Sequence, residues 1–261
     1  MDEQGTEITG RGAMNRVWRV GNTIRRTRGP WSDTTAALLR HLEDRGFTAV
    51  SRHLGVDELG RDVLSVLPGE PVAALTGDRQ LIQVARLLRA FHDAAADFVP
   101  PAASHWRVAG RPGAADAIVH RDVAPWNLLE RDGDIVGLVD WDLAGPGRAI
   151  ADFAYLAWHF VPPHDEPMGD GSPPPPLAAR PARLRLLADS YRLQPPERQR
   201  LVAEVAAMQV RQAAQVADDA LAGDSASARL WDRGCFTEAT ARSLQWLALH
   251  RDRLDRALRV N

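Results

Sequence analysis

The segment HRDVAPWNLLERDGDIVGLVDWD, residues 120–142, constrains the fold of this chain more than any other segment. Runs of strand-forming residues flank an Asp-Gly pair at 132–133, and this is the strongest short signal for a β-hairpin. Counting outward from a two-residue turn places Asn127 opposite Leu138. The sequence therefore predicts a hairpin that brings Asn127 and Asp140 to one face, within about 7–8 Å of each other.

The same segment carries the residue types that phosphoryl transfer from a metal-bound nucleotide requires. The carboxylate of Asp122 can accept the proton of an attacking hydroxyl group. The amide oxygen of Asn127 and the carboxylate of Asp140 are oxygen ligands of the kind that Mg²⁺ prefers. The pattern H-R-D-x-x-x-x-N at residues 120–127 fixes four residues. At about 5% per residue type, these four would arise by chance at this spacing in about one chain of this length in 10³. We therefore favour a catalytic site over a set of surface turn residues.

The composition of the 261 residues is that of an ordinary globular chain, with 45% hydrophobic and 25% charged residues. A net charge of −2 gives no support for binding to nucleic acid or to an anionic membrane. The acidic start of the chain predicts no secretory signal, and no apolar run is long enough for a transmembrane helix. A single cysteine, Cys235, cannot form an internal disulfide. We expect a cytoplasmic protein.

The pattern along the chain predicts an α+β fold in two parts. Strand candidates and one amphipathic helix occupy the first part, and helical periodicity dominates after the connector Leu-Pro-Gly-Glu at 67–70. A proline-rich stretch at 162–176 predicts a surface loop. We therefore expect a small β-rich N-terminal lobe at residues 1–67 and a larger, mostly helical lobe at residues 68–261.

These segments together resemble the aminoglycoside phosphotransferase family of small-molecule kinases, which has a protein-kinase-like fold. The resemblance extends over nearly the full chain, from a hairpin turn at Gly21-Asn22 through the connector and residues 120–142 to the helix sequence ADFAYLAW. Asp140 is followed by Trp-Asp where protein kinases have Phe-Gly, and no Ala-Pro-Glu segment follows. Both features favour the small-molecule branch.

The resemblance implies Asp122 as the catalytic base and Asn127 and Asp140 as Mg²⁺ ligands. It implies Asp142 as a further metal-binding or supporting group, with an exposed carboxylate at a helix entry as the open alternative. The resemblance also implies supporting residues. We expect His120 and Arg121 to hold the catalytic loop in shape, and Asp152 to bond backbone amides at a helix start.

The chain departs from the family at the cation that binds phosphate, because no lysine occurs among its 32 basic residues. Arg25 and Arg26 stand where the family has its lysine, and an arginine can bind phosphate bidentately. Counting from the hairpin turn, Arg26 shares a face with Ile24 and with Val17, the valine expected against the nucleotide base. We therefore prefer Arg26 over Arg25 for the phosphates, with a solvated arginine as the alternative.

Two further features qualify the nucleotide site. The helix acid that should pair with the phosphate-binding cation is absent, and Thr34-Thr35 stand at its position. Gly10 and Gly12 are weak candidates for a phosphate loop, because short glycine-bearing turns are common.

The predicted activity is transfer of the γ-phosphoryl group of Mg²⁺-bound ATP or GTP to a hydroxyl of a small acceptor, such as an aminoglycoside, an amine or a sugar-like molecule. The alternative is a pseudokinase or nucleotide-binding regulatory module, because the lysine–glutamate pair is missing. Candidate contacts to a cationic acceptor, each equally interpretable as surface or core, are Asp165, Glu166, Asp170, Asp218, Asp219, Trp126 and Trp158.

Overall fold

The computed structural model describes residues 5–8, 16–72, 77–108, 115–166, 173–234 and 236–259. Its strands are β1 (Thr6–Glu7), β2 (Val17–Val20), β3 (Thr23–Arg26), β4 (His53–Val56), β5 (Asp62–Ser65), β6 (Glu70–Pro71), β7 (Ala117–Val119), β8 (Leu128–Arg131), β9 (Asp134–Leu138) and β10 (Gly145–Gly147). Its helices are α1 (Ser32–Asp44), α2 (Asp78–Ala94), α3 (Ala149–Phe160), α4 (Arg180–Tyr191), α5 (Pro195–Leu221), α6 (Ser225–Asp232) and α7 (Glu238–Leu258). The predicted α+β class is confirmed. Gly10, Gly12 and Asp170 lie outside the described residues.

Strands β1 to β5 form one antiparallel sheet in the order β1-β2-β3-β5-β4. The predicted hairpin at residues 21–22 is confirmed, because β2 and β3 pair with Val17 opposite Arg26 and Trp18 opposite Arg25. Side chains alternate between the two faces of a strand. Arg26 therefore shares a face with Ile24 and Val17, as predicted, and Arg25 points to the other face.

The hairpin of β8 and β9 contains a β-bulge that changes the predicted register. Glu130 lies opposite Ile135, but the next pair joins Leu129 to Gly137. As a result Leu128 faces Leu138, so the prediction that Asn127 lies opposite Leu138 was wrong by one position. A bulge adds one unpaired residue to one strand, which counting from the turn cannot detect.

Residue contacts group the chain into two compact units, Met1–Val72 with Leu87–Ala149 and Ala73–Arg86 with Ile150–Asn261. The lobe boundary expected after residue 67 stays a prediction, because the first unit contains parts of both expected lobes. In the first unit, the ring of Trp141 packs edge-on against Phe91 at 4.8 Å and Phe47 at 6.5 Å between centroids. The amide of Leu138 donates to the carbonyl of Ala49 at 2.9 Å. The core thereby fixes the end of the hairpin formed by β8 and β9.

The second unit is helical, and its core includes the fully buried Phe153 and Leu187. Arg180 is only 2% exposed. Its guanidinium donates to the carbonyls of Pro162 at 3.1 Å and Pro175 at 2.8 Å and lies 4.8 Å from the ring of Trp246. The two ends of the proline-rich stretch are therefore bonded to α4. Across the described ranges, every helix is too short or too polar to traverse a bilayer.

Candidate active site

Asp122 and Asn127 are joined by a hydrogen bond within one short loop. A 3₁₀ turn at Pro125–Asn127 folds the chain back, and Nδ2 of Asn127 donates to Oδ2 of Asp122 at 2.7 Å and to its carbonyl at 2.9 Å. Asn127 is only 5% exposed. These bonds use the amide nitrogen and fix the orientation of the side chain, and neither of them uses the amide oxygen.

His120 is fully buried below this loop and bonds to backbone groups on both sides. The amide of Asp122 donates to Nδ1 at 3.3 Å, so Nδ1 must be the unprotonated nitrogen. We therefore assign the proton to Nε2, which lies 3.1 Å from the carbonyl oxygen of Val139 and donates to it. The imidazole also packs edge-on against Trp141 at 4.7 Å. Through these contacts His120 links the loop of Asp122 to the strand end before Asp140.

Arg121 holds the loop to the segment that follows the hairpin. Its backbone is left-handed, with φ 68°. Its guanidinium donates to the carbonyl of Leu143 at 2.7 Å and to that of Pro146 at 2.5 Å. A Cβ atom on residue 145 would lie 2.9 Å from Nη1 of Arg121, so Gly145 leaves the space that this arginine occupies.

Asp140 follows β9 in a left-handed conformation, with φ 62°, so strand alternation no longer decides where its side chain points. It counts among the exposed residues, yet the protein atoms around it partly desolvate its carboxylate. This desolvation raises the pKa of Asp140, and the nearby carboxylate of Asp142 raises it further. Arg26 and His120 lower the pKa of Asp140 by smaller amounts. The crowded negative charge would be relieved by a bound cation.

Asp142 is buried, 3% exposed, and lies between two arginines. Its Oδ1 is 2.5 Å from Nη2 of Arg26, and its Oδ2 is 3.6 Å from Nη1 of Arg107. Arg26, which the sequence suggested for nucleotide phosphates, is itself only 9% exposed. The alternative of an exposed carboxylate at residue 142 is therefore wrong, because both oxygens face guanidinium groups inside the protein.

Arg107 was not among the predicted site residues. Its guanidinium carbon lies 4.5 Å from the ring centroid of Trp31, just before α1. The neighbouring amide of His105 donates to Oγ1 of the buried Thr34 at 2.9 Å, which ties this segment to α1. No sequence signal marks Arg107, because its link to Asp142 depends on a contact between segments far apart in the chain.

Arg25 lies in a different environment from Arg26. Its Nε is 3.2 Å from Oδ2 of Asp57, and its Nη1 donates to Oγ1 of Thr23 at 2.5 Å. The two neighbouring arginines of β3 therefore bind two different carboxylates on opposite faces of the sheet.

Asp152 lies in the second unit, buried in the first turn of α3. A carboxylate there interacts favourably with the helix dipole. Among the acidic candidates for an acceptor site, Asp165 accepts from Nη2 of Arg180 at 2.8 Å and Glu166 pairs with Arg242 at 2.7 Å. These two carboxylates are thus already paired with arginines of their own unit.

The remaining acceptor candidates lie in separate places. Asp218 and Asp219 are near the end of α5, where Asp219 accepts from Gln215 at 2.8 Å. Trp158 packs against His159 at 4.5 Å between ring centroids. Trp126, in the loop that carries Asp122, is 56% exposed and is the aromatic side chain there that a bound molecule can reach.

The residues of the loop and hairpin fit a magnesium ion that is shared with a substrate. Within the described ranges, no group of three or more His, Cys, Asp or Glu side chains could hold a metal ion by itself. Mg²⁺ at phosphate-transfer sites typically takes one or two carboxylates and completes its shell with phosphate oxygens and water. The amide oxygen of Asn127 and the crowded carboxylate of Asp140 are a donor set of that kind.

Solved structures described as small-molecule kinases and phosphotransferases are similar to this one. The structure is similar to that of a choline/ethanolamine kinase family protein from Mesorhizobium loti, with a TM-score of 0.59 and 18% identity over 99% of this chain and 94% of that one. A spectinomycin phosphotransferase in complex with ADP and spectinomycin superposes with a TM-score of 0.60 and 12% identity over 92% of each chain. The predicted protein-kinase-like fold is confirmed.

The sequence comparisons give the family. Residues 103–172 match the phosphotransferase enzyme family, APH. Over 259 residues, 96% of this chain and 97% of the relative, the sequence is 35% identical to the trifolitoxin immunity protein of Rhizobium leguminosarum bv. trifolii. The chain belongs to the phosphotransferase enzyme family, as the sequence motifs predicted.

Proposed function

We propose that this protein is a small-molecule kinase that transfers the γ-phosphoryl group of a Mg²⁺-bound nucleoside triphosphate to a hydroxyl group. The observation that carries the proposal is the 2.7 Å hydrogen bond between Asn127 and the Asp122 carboxylate. Their loop leads directly into β8, and Asp140 follows β9, the strand that pairs with β8. Asp122 accepts the proton of the acceptor hydroxyl, and Asn127 orients its carboxylate. Family membership supports the same reaction class.

Asn127 and Asp140 are the proposed ligands of Mg²⁺, with Asp142 as a supporting anion. When bound, the ion supplies charge neutralisation on the phosphates and alignment of the transferred group. Arg26 is the proposed cationic contact to phosphate, with Arg25 as the weaker candidate. Val17 and Ile24, on the same face as Arg26, are the proposed apolar contacts to the nucleotide base.

Catalysis is tested by nucleotide consumption with Mg²⁺, using ATP and GTP, and a panel of aminoglycosides, macrolides, choline, homoserine and simple sugars. Mass spectrometry of the acceptor identifies the product. We expect Asp122→Ala to lower turnover by about 10²–10⁴, the usual loss for a general base, while nucleotide binding persists. The matched control is Asp132→Asn, an exposed turn residue of the adjoining hairpin whose left-handed backbone suits asparagine. Equal activity of Asp122→Ala and the parent would exclude Asp122 from the mechanism.

Loss of the lysine–glutamate pair supports a second candidate, a nucleotide-binding module without efficient catalysis. Thr34 and Thr35 are 2% and 3% exposed, and Thr34 accepts a bond from His105, so these threonines serve the packing of α1. Nucleotide binding by calorimetry with no turnover on any acceptor would favour this candidate.

The name of the rhizobial relative supports a biological setting for either candidate, protection of a cell against a toxin. Expression of the chain in a strain sensitive to trifolitoxin tests this setting. Protection that is lost in Asp122→Ala would indicate that phosphoryl transfer inactivates the toxin or a molecule it depends on. Protection that Asp122→Ala retains would indicate immunity by binding alone.

A further inference from the structure

The Asp142 carboxylate is held between two arginines that come from separate segments. Arg26 reaches it from β3 at 2.5 Å, and Arg107 reaches it at 3.6 Å from the segment before β7. The side chains of Arg26, Arg107 and Asp142 are 11%, 19% and 3% exposed. The nearby carboxylate of Asp140 also acts on Arg26, so this arginine lies within reach of two acidic groups in a poorly solvated place.

Arg26 has bonding capacity that this ion pair does not use. Its Nε is buried and has no hydrogen-bond partner among the described residues. The short contact to Oδ1 of Asp142 is made by Nη2 and does not engage Nε. Buried arginine donors normally find acceptors, and Arg26 therefore has a donor available for an acceptor from outside the chain.

Arg107 removes the main obstacle to a change of partner at Arg26. Separating one arginine from a buried carboxylate would leave that charge uncompensated, which is strongly unfavourable. Arg107 lies close enough to Oδ2 to compensate Asp142, and its guanidinium is kept in place by stacking on Trp31 at 4.5 Å. Arg26 can therefore leave Asp142 while Arg107 still compensates the negative charge of the carboxylate.

We propose that Arg26 exchanges partners, moving from Asp142 to a nucleotide phosphate, and that Arg107 is the positioning residue that compensates Asp142 when Arg26 leaves. The exchange rests on the proposed function, because it takes a nucleotide phosphate as the second anion. It makes Asp142 the carboxylate partner of the phosphate-binding cation, and it assigns to Arg107 an influence on nucleotide affinity without contact to the nucleotide.

The test is calorimetric binding of ADP to Arg107→Gln, first in EDTA and then with Mg²⁺. We expect affinity about tenfold weaker than in the parent under both conditions, because Arg26 remains tied to Asp142. Arg107→Lys keeps the charge and is expected to restore most of the affinity. In enzyme assays the change appears in the KM for nucleotide rather than in kcat.

The second half of the test removes the charge that Arg107 compensates. In an Asp142→Asn background, Arg107→Gln is expected to change ADP affinity by less than about twofold, because residue 142 then carries no charge for Arg107 to compensate. The matched control is Arg61→Gln, because Arg61 also pairs with an aspartate, Asp57, and also lies over a tryptophan, Trp18, in the first unit. This control should bind ADP like the parent. Circular dichroism verifies folding, and Arg107→Met, which also removes the charge, replaces Arg107→Gln if the latter does not fold.

The outcomes separate the exchange from the proposed function. Equal weakening by Arg107→Gln in the parent and in the Asp142→Asn background, or no weakening in either, overturns the exchange even though ADP binds. ADP binding with the expected coupling but no phosphoryl transfer supports the exchange and overturns the proposed kinase activity. Failure of the parent to bind ADP overturns both.

Discussion

Each face of strand β3 carries a cluster of the same composition, an aspartate between two arginines with a tryptophan beside one of the arginines. On one face Asp57 binds Arg25 at 3.2 Å and Arg61 at 2.8 Å. On the other face Asp142 binds Arg26 at 2.5 Å and Arg107 at 3.6 Å. The residue types are alike, but the burial and the additional bonds of the two carboxylates differ.

The Asp57 cluster is local and largely complete. Oδ1 of Asp57 accepts from the amides of Leu59 at 3.1 Å and Arg61 at 2.9 Å, in the turn between β4 and β5. Burial alone would raise the pKa of Asp57, but these hydrogen bonds and the Arg61 charge together lower it. The Asp142 cluster instead joins three distant segments around a more buried carboxylate, 3% exposed against 16% for Asp57. The comparison teaches that the Asp57 cluster is completed by hydrogen bonds within one turn, whereas the Asp142 cluster retains a buried donor, Nε of Arg26, without a partner among the described residues.

The largest difference is expected in stability, when each carboxylate is removed. Asp142→Ala breaks an ion pair whose carboxylate is only 3% exposed and should lower the free energy of unfolding by about 3–5 kcal/mol. Asp57→Ala removes a more solvated carboxylate and should cost about 1 kcal/mol. Denaturant unfolding of both variants measures the difference. Similar losses would show that burial does not distinguish the two clusters.

The next largest effect concerns the arginines of β3 themselves. Arg26→Ala should weaken nucleotide binding by about 1.5–3 kcal/mol, the contribution of a charged hydrogen-bonding partner, or lower kcat. Arg25→Ala is its matched control, because it removes the same group from the same strand but on the other face. Calorimetric titration with Mg²⁺-ATP compares the two. If Arg25 proves the sensitive position, the Asp57 face is the one that binds phosphate.

Salt should affect the two clusters differently by a smaller amount. Double-mutant cycles give the coupling of Arg25 to Asp57 and of Arg26 to Asp142. Raising the salt from about 0.05 M to about 0.5 M should lower the first coupling by a few tenths of a kcal/mol and leave the second nearly unchanged, because buried pairs are screened less. A parallel decline of both couplings would argue that water and ions reach Asp142 as readily as Asp57.

The smallest effect is a pH dependence specific to Asp57. Its pKa in the folded protein is below the ordinary value of 3.8, so the ionised carboxylate stabilises the fold above pH 3.8. That stabilisation is lost as the pH falls through the lower folded pKa. The difference in free energy of unfolding between the parent and Asp57→Asn should therefore shrink in acid. Urea midpoints measured through this range test the sign, and a difference that grows in acid would contradict it.

Much of the candidate site could be predicted because its residues are close in sequence. The spacing from Asp122 to Asn127 identified the loop, and the Asp-Gly turn at 132–133 identified the hairpin that follows it. Counting failed only at the bulge between Leu129 and Glu130, where strand pairing departs from regular alternation. The face count on β3 succeeded because the hairpin of β2 and β3 has no bulge. Predictions from the alternation of side chains along a strand hold wherever the strand pairing is regular.

The sequence by itself determined the family, the hairpins and the face to which Arg26 points, because each depends on residue type and short spacing. Only the tertiary structure decided that Asp142 is the anion beside Arg26 and that Arg107 shares it. These partners come together through packing of segments distant in the chain, and no local pattern encodes which buried charge meets which. The physical reason is that a buried ion pair is selected by desolvation and geometry in the folded core, and both arise only when that core has formed.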